Sequence, residues 1–210
     1  FYVMDMVEGR ILWDPRLPDI PREGRRAIFE AKISTLAKLH NADYEAIELG
    51  DFGKPGNYFS RQISRWTKQY QMSETQSIDT MNKLIDWLPG NIPDDDANSI
   101  VHGDFRLDNM VLHADKPEVL AVLDWELSTL GHPLGDFTYH LMQWFMPSEG
   151  ASTQTLEGVD FDALNIPDAA EYTRLYCEHT GRDSIENMDF YIAYNMFRLA
   201  GILQGIVGRV

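Results

Sequence analysis

The residues with the clearest potential for chemistry lie between Ile100 and Glu126. A polar loop in this stretch contains Asp104 and, five positions later, Asn109, and Asp124 follows further along. Carboxylate and amide oxygens are the hard ligands that Mg²⁺ prefers, and a magnesium ion bound this way keeps room for substrate phosphates. A carboxylate such as Asp104 could also accept a proton from an attacking hydroxyl group. The stretch therefore predicts a metal-assisted reaction on a phosphate.

Two short apolar runs must position these groups. Met110–Leu112 and Val119–Leu123 flank the turn-prone segment Ala114–Pro117. This pattern predicts a tight β-hairpin. The hairpin would bring the polar loop ahead of it and the carboxylates of Asp124 and Glu126 after it to the same end.

The motif H-G-D-x-x-x-x-N, followed by a strand that ends in D-W-E, resembles the catalytic loop and metal-binding Asp of kinase-like small-molecule phosphotransferases. This superfamily includes aminoglycoside phosphotransferases and choline kinases. The segments R-W-T-K-Q-Y, L-D-W-E-L-S-T-L-G-H-P-L-G-D and F-R-L-A-G-I look like one branch of it. That branch is a domain that stands alone in bacteria or is fused to some acyl-CoA dehydrogenases. The resemblance covers essentially the whole chain.

The resemblance implies an α+β, protein-kinase-like fold, mainly the helical C-terminal lobe with a catalytic β-hairpin. Residues 1–9 correspond to the hinge strand that follows an N-terminal lobe, and residues 10–210 to the C-terminal lobe with the catalytic loop (100–126). In the hinge, Asp5 and Val7 are the expected adenine contacts. Nothing in the sequence matches the phosphate-covering loop or the Lys of an N-terminal lobe. We therefore expect these 210 residues to be a fragment that is inactive alone.

The resemblance also suggests roles within the catalytic loop. Asp104 is the expected catalytic base, which orients a substrate hydroxyl toward the γ-phosphate of ATP. Asn109 and Asp124 are the expected Mg²⁺ ligands. Arg106 could stabilise the charge of the transferring phosphate, or it could simply form a salt bridge with a neighbouring acid. Glu126 could reach a second metal or anchor the loop.

Two further residues are expected to support the loop. His102 is interpreted as a structural hydrogen-bonding residue, because Asp104 already fills the role of the base. Asp136, near the start of a predicted helix, matches the family position that braces the catalytic loop.

Composition limits the classes of partner. The net charge is −15, which disfavours nucleic acids and anionic membranes. The single Cys177 cannot form an internal disulfide and favours a reducing, cytoplasmic setting. Monomer and homodimer both remain open.

Helices are predicted around the hairpin. Phe59, Ile63, Trp66 and Tyr70 form one buried stripe, and Ser73 with Gln76 is a candidate capping box for the next helix. Further helices are predicted from Pro21 to His40, over Phe137–Phe145, over Pro167–Thr180 and over Asn187–Val207.

A basic stripe of Arg61, Arg65 and Lys68 shares the helix of Trp66. It is either a solvated face or a binding site for an anionic substrate. Kinship with dehydrogenase-fused domains favours a hydroxyacyl acceptor, as the CoA thioester, over a cationic aminoglycoside. It also implies a fusion or pathway link to an acyl-CoA dehydrogenase.

Two other classes of function compete with this interpretation. A metal-dependent hydrolase could use His102, Asp104, Asp124 and His132 as ligands, although the Asn109 amide suits such metals poorly. A non-catalytic, kinase-like binding domain is the other alternative. The presence of Asp104, Asn109 and Asp124 together argues against it.

Overall fold

The computed structural model describes residues 5–148 and 154–208. Within these ranges the helices, in chain order, are α1 (Arg22–His40), α2 (Tyr58–Ser73), α3 (Asp79–Trp87), α4 (Pro133–Leu141), α5 (Phe161–Leu164), α6 (Ala169–Thr180) and α7 (Met188–Val207). The short strands are β1 (Ser99–Val101), β2 (Met110–Leu112), β3 (Val119–Val122) and β4 (Thr129–Gly131). None of the described helices is long and apolar enough to cross a membrane.

The chain divides into two compact units that each draw on several segments. The first unit comprises the described parts of Phe1–Ala42, His102–Ser128 and Gln143–Ile185. The second unit comprises those of Asp43–Val101, Thr129–Met142 and Glu186–Val210.

The first unit is built on α1 packed against α6. Their shared core contains three aromatic side chains: Phe29 meets the Tyr172 ring edge-on at 5.9 Å, and Trp144 stacks on Tyr172 at 4.7 Å. The Asp168 side chain caps α6 by accepting a hydrogen bond from the backbone N–H of Glu171 (2.7 Å). Strand β3 also packs against α1.

The predicted hairpin is present in the first unit. Strands β2 and β3 are antiparallel, with Met110 opposite Val122 and Leu112 opposite Val119. The register shifts between Val111 and Leu112, so β3 contains one extra residue, a β-bulge. All of β2 is buried, whereas β3 is only partly covered. The hairpin therefore uses one strand for the core and leaves the other near the surface.

The second unit is organised around α7, which packs against α2 and α4. Phe59 of α2 touches Phe190 and Tyr194 of α7 edge-on, at 5.3 and 5.0 Å. The buried Asn195 side chain donates to the backbone carbonyl of Gly135 in α4 (3.0 Å). In the same unit β1 pairs antiparallel with β4.

Several predicted boundaries need correction. The predicted strand Phe1–Val7 falls partly outside the described residues, and residues 5–7 form no strand. Ser73 does not begin a helix: it ends α2, and its hydroxyl donates to the carbonyl of Gln69 in its own helix (2.9 Å). The predicted helix Phe137–Phe145 begins earlier, because Pro133 suits the first turn of α4. Helix α4 ends at Leu141, and a 3₁₀ segment follows over Met142–Trp144.

Candidate active site

His102 links the catalytic loop to the end of the hairpin. Its ring is fully buried, and Nε2 donates to the backbone carbonyl of Leu123 (2.8 Å). Nδ1 accepts the backbone N–H of Asp104 (3.2 Å), so this geometry requires the neutral tautomer with its proton on Nε2. The N–H of Leu123 in turn donates to the carbonyl of Asn109 (2.8 Å). Both backbone groups of Leu123 are thus hydrogen-bonded to the loop, which fixes the position of the following residue, Asp124.

Gly103 allows this loop to turn. Its φ of +85° lies in the region that L side chains rarely adopt, and a Cβ there would meet the carbonyl oxygen of Leu127 at 2.7 Å. Any larger residue would therefore both strain the backbone and displace the segment after Asp124.

Asp104 and Asn109 are directly paired. The Asn109 side-chain amide donates to the backbone carbonyl of Asp104 (2.9 Å) and to its Oδ2 (3.1 Å). This pairing leaves Asp104 Oδ1 without a hydrogen bond among the described residues. Because the Asn109 nitrogen is committed to Asp104, the Asn109 oxygen is the atom left for a metal. One carboxylate oxygen is thus held in place while the other can accept a proton.

Arg106 forms the salt bridge that the sequence left as an alternative. Its guanidinium contacts Asp108 at 2.7 Å, and its Nε lies 3.5 Å from Asp104 Oδ1. The Arg106 side chain is still 34% exposed and, with Asp108, lines a cavity of about 380 Å³ that also has Trp13 and Gln143 in its wall. Pairing therefore does not remove Arg106 from contact with a ligand.

The two carboxylates after the hairpin are free to bind a metal. Asp124 adopts the left-handed conformation (φ 63°, ψ 57°), which Asp tolerates better than most residues. It directly precedes a 3₁₀ segment over Trp125–Leu127. Asp124 and Glu126 are exposed, and neither side chain makes a hydrogen bond or ion pair within the described ranges. A charged, exposed and uncommitted carboxylate together with an amide oxygen is a donor set that fits Mg²⁺.

Lys32 is a charged residue near the loop that sequence reasoning missed. It lies on α1, four residues after Ile28 and four before Leu36, so it falls within the buried stripe of that helix and is 1% exposed. Burial lowers the pKa of Lys32 from 10.5 to about 7, while the charge of Asp108 raises it and that of Arg106 lowers it. A lysine in an apolar stripe was the signal available in the sequence.

The predicted basic stripe lies in the second unit. Arg65, Lys68 and Arg61 line a cavity of about 940 Å³ on α2, together with Met72 and with residues near the end of α7. Arg61 differs from the other two residues of the stripe in being held by the backbone: its guanidinium donates to the carbonyls of Lys54 and Gly56. Arg65 lies 5.7 Å from the Trp66 ring, within the range of a cation–π contact.

Three other predicted residues occupy definite places. Asp5 and Val7 are exposed and lie in a segment of the first unit without regular structure. Asp136 is buried in the first turn of α4, in the second unit. Their roles in adenine binding and in bracing the loop stay predictions.

The geometry does not favour the hydrolase alternative. Within residues 5–148 and 154–208, no three side chains of His, Cys, Asp or Glu form a group that could hold a metal. His132 accepts the backbone N–H of Leu134 with Nδ1 (3.2 Å), and its Nε2 lies 3.3 Å from Asp95. Both of its ring nitrogens are therefore already engaged. A magnesium site with two protein ligands requires no such three-residue group.

Comparison with known proteins identifies the family. The family pattern described as "Phosphotransferase enzyme family" (APH) matches residues 1–176. The chain belongs to this phosphotransferase family. Its histidine–glycine–aspartate loop and hairpin are thus those of an APH domain, and its fold is protein-kinase-like.

Two relatives of this APH domain have very different lengths. Mouse (Mus musculus) acyl-CoA dehydrogenase family member 10 is 45% identical over 209 residues, which are 100% of this chain and 20% of that protein. A candidate aminoglycoside phosphotransferase from Ralstonia eutropha JMP134 has a crystal structure with a TM-score of 0.95 and 55% identity, over 99% of this chain and 63% of the other. The chain thus spans about a fifth of the mouse relative.

A more distant structure shares the fold alone. It is an aminoglycoside phosphotransferase of Streptomyces rimosus in complex with ADP and streptomycin, with a TM-score of 0.56 and 13% identity. The match covers 82% of this chain and 62% of that one.

Proposed function

We propose that this APH domain carries the catalytic loop of an ATP- and Mg²⁺-dependent phosphotransferase whose acceptor is a hydroxyl group of a small molecule. The observation that carries the proposal is the pairing of Asp104 with Asn109. It holds one carboxylate oxygen and leaves the other, Oδ1, without a hydrogen bond among the described residues, with the Nε of Arg106 at 3.5 Å, so that Oδ1 can accept a proton as a general base requires. The ADP complex of the Streptomyces rimosus protein supports an adenine nucleotide as the phosphate donor.

In the proposed reaction Asp104 Oδ1 accepts the proton of the acceptor hydroxyl. The hydroxyl oxygen forms a bond to the γ-phosphorus of ATP as the bond from that phosphorus to the β,γ-bridging oxygen breaks, and ADP leaves. Arg106 stabilises the charge that spreads over the transferring phosphoryl group. The proton then passes from Asp104 to solvent.

Asn109 and Asp124 would hold the magnesium ion in this proposal, and Glu126 would either bind a second ion or anchor the turn. Bound Mg²⁺ supplies charge neutralisation and alignment of the phosphates. Asp5 and Val7 would contact adenine through their backbone.

The proposed acceptor is a hydroxyacyl compound, as its CoA thioester. The mouse relative supports this choice, because the part similar to this chain belongs to an acyl-CoA dehydrogenase family member. The large cavity beside Arg65 and Lys68 suits a bulky anion with apolar parts, because Met72 and both cations line it. The same proposal includes a fusion or a pathway link to an acyl-CoA dehydrogenase. A cytoplasmic setting is proposed because the single Cys177 cannot form an internal disulfide.

The test is phosphoryl transfer by the full-length protein. Purified protein is incubated with Mg²⁺ and ATP labelled in the γ-phosphate, and with hydroxyacyl-CoA thioesters that carry the hydroxyl at successive positions. The corresponding free hydroxy acids, an aminoglycoside and choline serve as competing acceptors, and the Asp104→Asn variant is the matched control. We expect label on the hydroxyacyl thioesters with the wild-type protein alone. Transfer to the aminoglycoside or choline instead would overturn the choice of acceptor, and no transfer to any hydroxyl would overturn the proposed function.

A further inference from the structure

Lys32 is an ammonium group buried without a hydrogen-bonding partner. Its side chain is 1% exposed, and its Nζ makes no hydrogen bond within the part of the chain that the structure describes. Lysine is almost never fully buried unless it is paired, because a buried charge without a partner is costly. The nearest compensation on its own helix is the Phe29 ring, whose centroid lies 5.9 Å from Nζ. Such a costly residue in the core requires an explanation beyond packing.

The charges that act on Lys32 come from the catalytic loop. Asp108 attracts the ammonium and Arg106 repels it. Helix α6 also packs against α1, but its Glu171 pairs there with Arg26, and strand β3 carries no charged side chain. Lys32 therefore interacts electrostatically with the loop and with little else.

These groups form a series of alternating charges that ends at the proposed base. Asp108 binds Arg106 at 2.7 Å, and Arg106 lies 3.5 Å from Asp104. Lys32 adds the charge of a buried ammonium group, so Asp108 attracts two cations, one on α1 and one in its own loop. Asp108 can be attracted toward Lys32 in the core, or it can keep Arg106 paired at the surface.

We propose that Lys32 is a positioning residue, whose buried ammonium weakens the hold of Asp108 on Arg106 and so frees Arg106 to follow the transferring phosphate. This inference rests on the proposed function of Arg106 and Asp104. When Lys32 is charged, Asp108 is shared between two cations. When Lys32 is neutral, the full charge of Asp108 acts on Arg106 and keeps it paired.

The burial of Lys32 makes this balance sensitive to pH. Its pKa is lowered to about 7, so a rise in pH from 7 to 9 removes its proton in the folded protein. Turnover by the wild-type protein should therefore fall over this interval, in which carboxylates remain ionised.

The first experiment measures the charge coupling without any substrate. Lysine Cε atoms are labelled with ¹³C in the full-length protein, and the Lys32 signal, assigned from its loss in Lys32→Met, is followed by NMR from pH 6 to 11. We expect a pKa close to 7 in the wild-type protein, a lower one in Asp108→Asn and a higher one in Arg106→Gln. A Lys32 pKa that neither variant moves would overturn the proposal.

The second experiment measures turnover. Lys32→Met should lower kcat by about 3- to 10-fold at pH 7 with the KM for ATP unchanged. The two proteins should converge at pH 9, where wild-type Lys32 is itself neutral. Lys38→Met, which removes an exposed cation from the same helix, is the control. Lys32→Arg, which stays charged, should retain its kcat at pH 9.

The outcomes separate the inference from the proposed function. An equal loss for Lys32→Met at every pH indicates a purely structural role and rejects the inference, as does no loss at all. If the full-length protein transfers phosphate to no acceptor, the proposed function fails, while the NMR titration still decides whether Lys32 acts on Asp108 and Arg106.

Discussion

The basic residues of the two units differ in how accessible their charges are to a ligand. In the first unit Arg106 is paired with Asp108, and Lys32 is buried. In the second unit Arg65 and Lys68 are exposed and line a large cavity, and neither forms an ion pair within the described residues.

This difference separates two uses of positive charge. A buried or paired cation can fix the geometry of its neighbours, but its desolvation costs stability. An exposed cation adds little to stability and is screened by salt, yet it remains available to an anionic ligand. The first set should therefore control turnover, and the second set should control affinity for the acceptor. The predictions below test this division.

The largest effect is expected at Asp104. Asp104→Asn preserves the shape of the side chain but removes the base, so kcat should fall by roughly 10²-fold or more while ATP affinity stays nearly intact. Steady-state kinetics with the preferred acceptor and calorimetric ATP binding measure the two quantities. Near-normal turnover would remove Asp104 from the mechanism.

A smaller effect is expected at the proposed metal ligands. Asp124→Ala should weaken MgATP binding by roughly 10- to 100-fold, because one hard ligand is lost, and should barely change metal-free ATP binding. Asn109→Ala should do the same and should also lower kcat, since its amide orients Asp104. Asp115→Ala, an exposed aspartate in the hairpin turn, is the matched control. Equal losses with and without Mg²⁺ would exclude both residues as ligands.

Removing the buried cation should stabilise the fold. Because the folded-state pKa of Lys32 is about 7 against 10.5, the unfolded chain binds the extra proton between these values. The cost of burial is therefore complete below pH 7 and declines as the pH rises toward 10.5. Lys32→Met should raise the free energy of unfolding by on the order of 2–5 kcal/mol at pH 7, and by less at pH 9.5.

Urea unfolding of Lys32→Met at both pH values measures this gain, with Lys38→Met as the control. A gain that did not shrink with pH would contradict the assigned titration of Lys32. A gain in stability together with a loss of turnover would distinguish a positioning role from simple packing.

The smallest effect is expected in the second unit. Arg65→Glu and Lys68→Glu should each raise the KM for an anionic acceptor by about 5-fold with kcat unchanged, and the increase should shrink at high salt. Lys83→Glu makes the same change of charge at an exposed site on α3. If all three variants behaved alike, net charge rather than the cavity would govern affinity.

The sequence predicted the hairpin and its loop well, because those contacts are local. Met110–Leu112 and the following strand are separated by a short turn, so their pairing needs no knowledge of distant segments. Helix existence was equally predictable from apolar spacing. Helix ends were less predictable. Ser73 is a residue type that often caps helices, but its hydroxyl donates to a carbonyl of its own helix.

Long-range environments could not be predicted from residue type. Lysine is normally a surface residue, so Lys32 in a buried stripe gave only a weak signal. Arg61 belongs to the basic stripe by spacing, but the preceding turn presents carbonyl oxygens that engage its guanidinium. Both outcomes depend on which distant groups the fold brings close to the side chain. The spacing of residues along one helix carries no information about those groups.

The hydrogen bonds between Leu123 and the loop have a consequence for local unfolding. Because its carbonyl accepts from His102 and its N–H donates to Asn109, the hairpin cannot open without also releasing the loop. The two halves of the site should therefore exchange their amide hydrogens as one cooperative segment, with similar protection on both sides. A substitution that weakens the hairpin far from Asp104 would then lower the fraction of molecules in which the base and the metal ligands are assembled together.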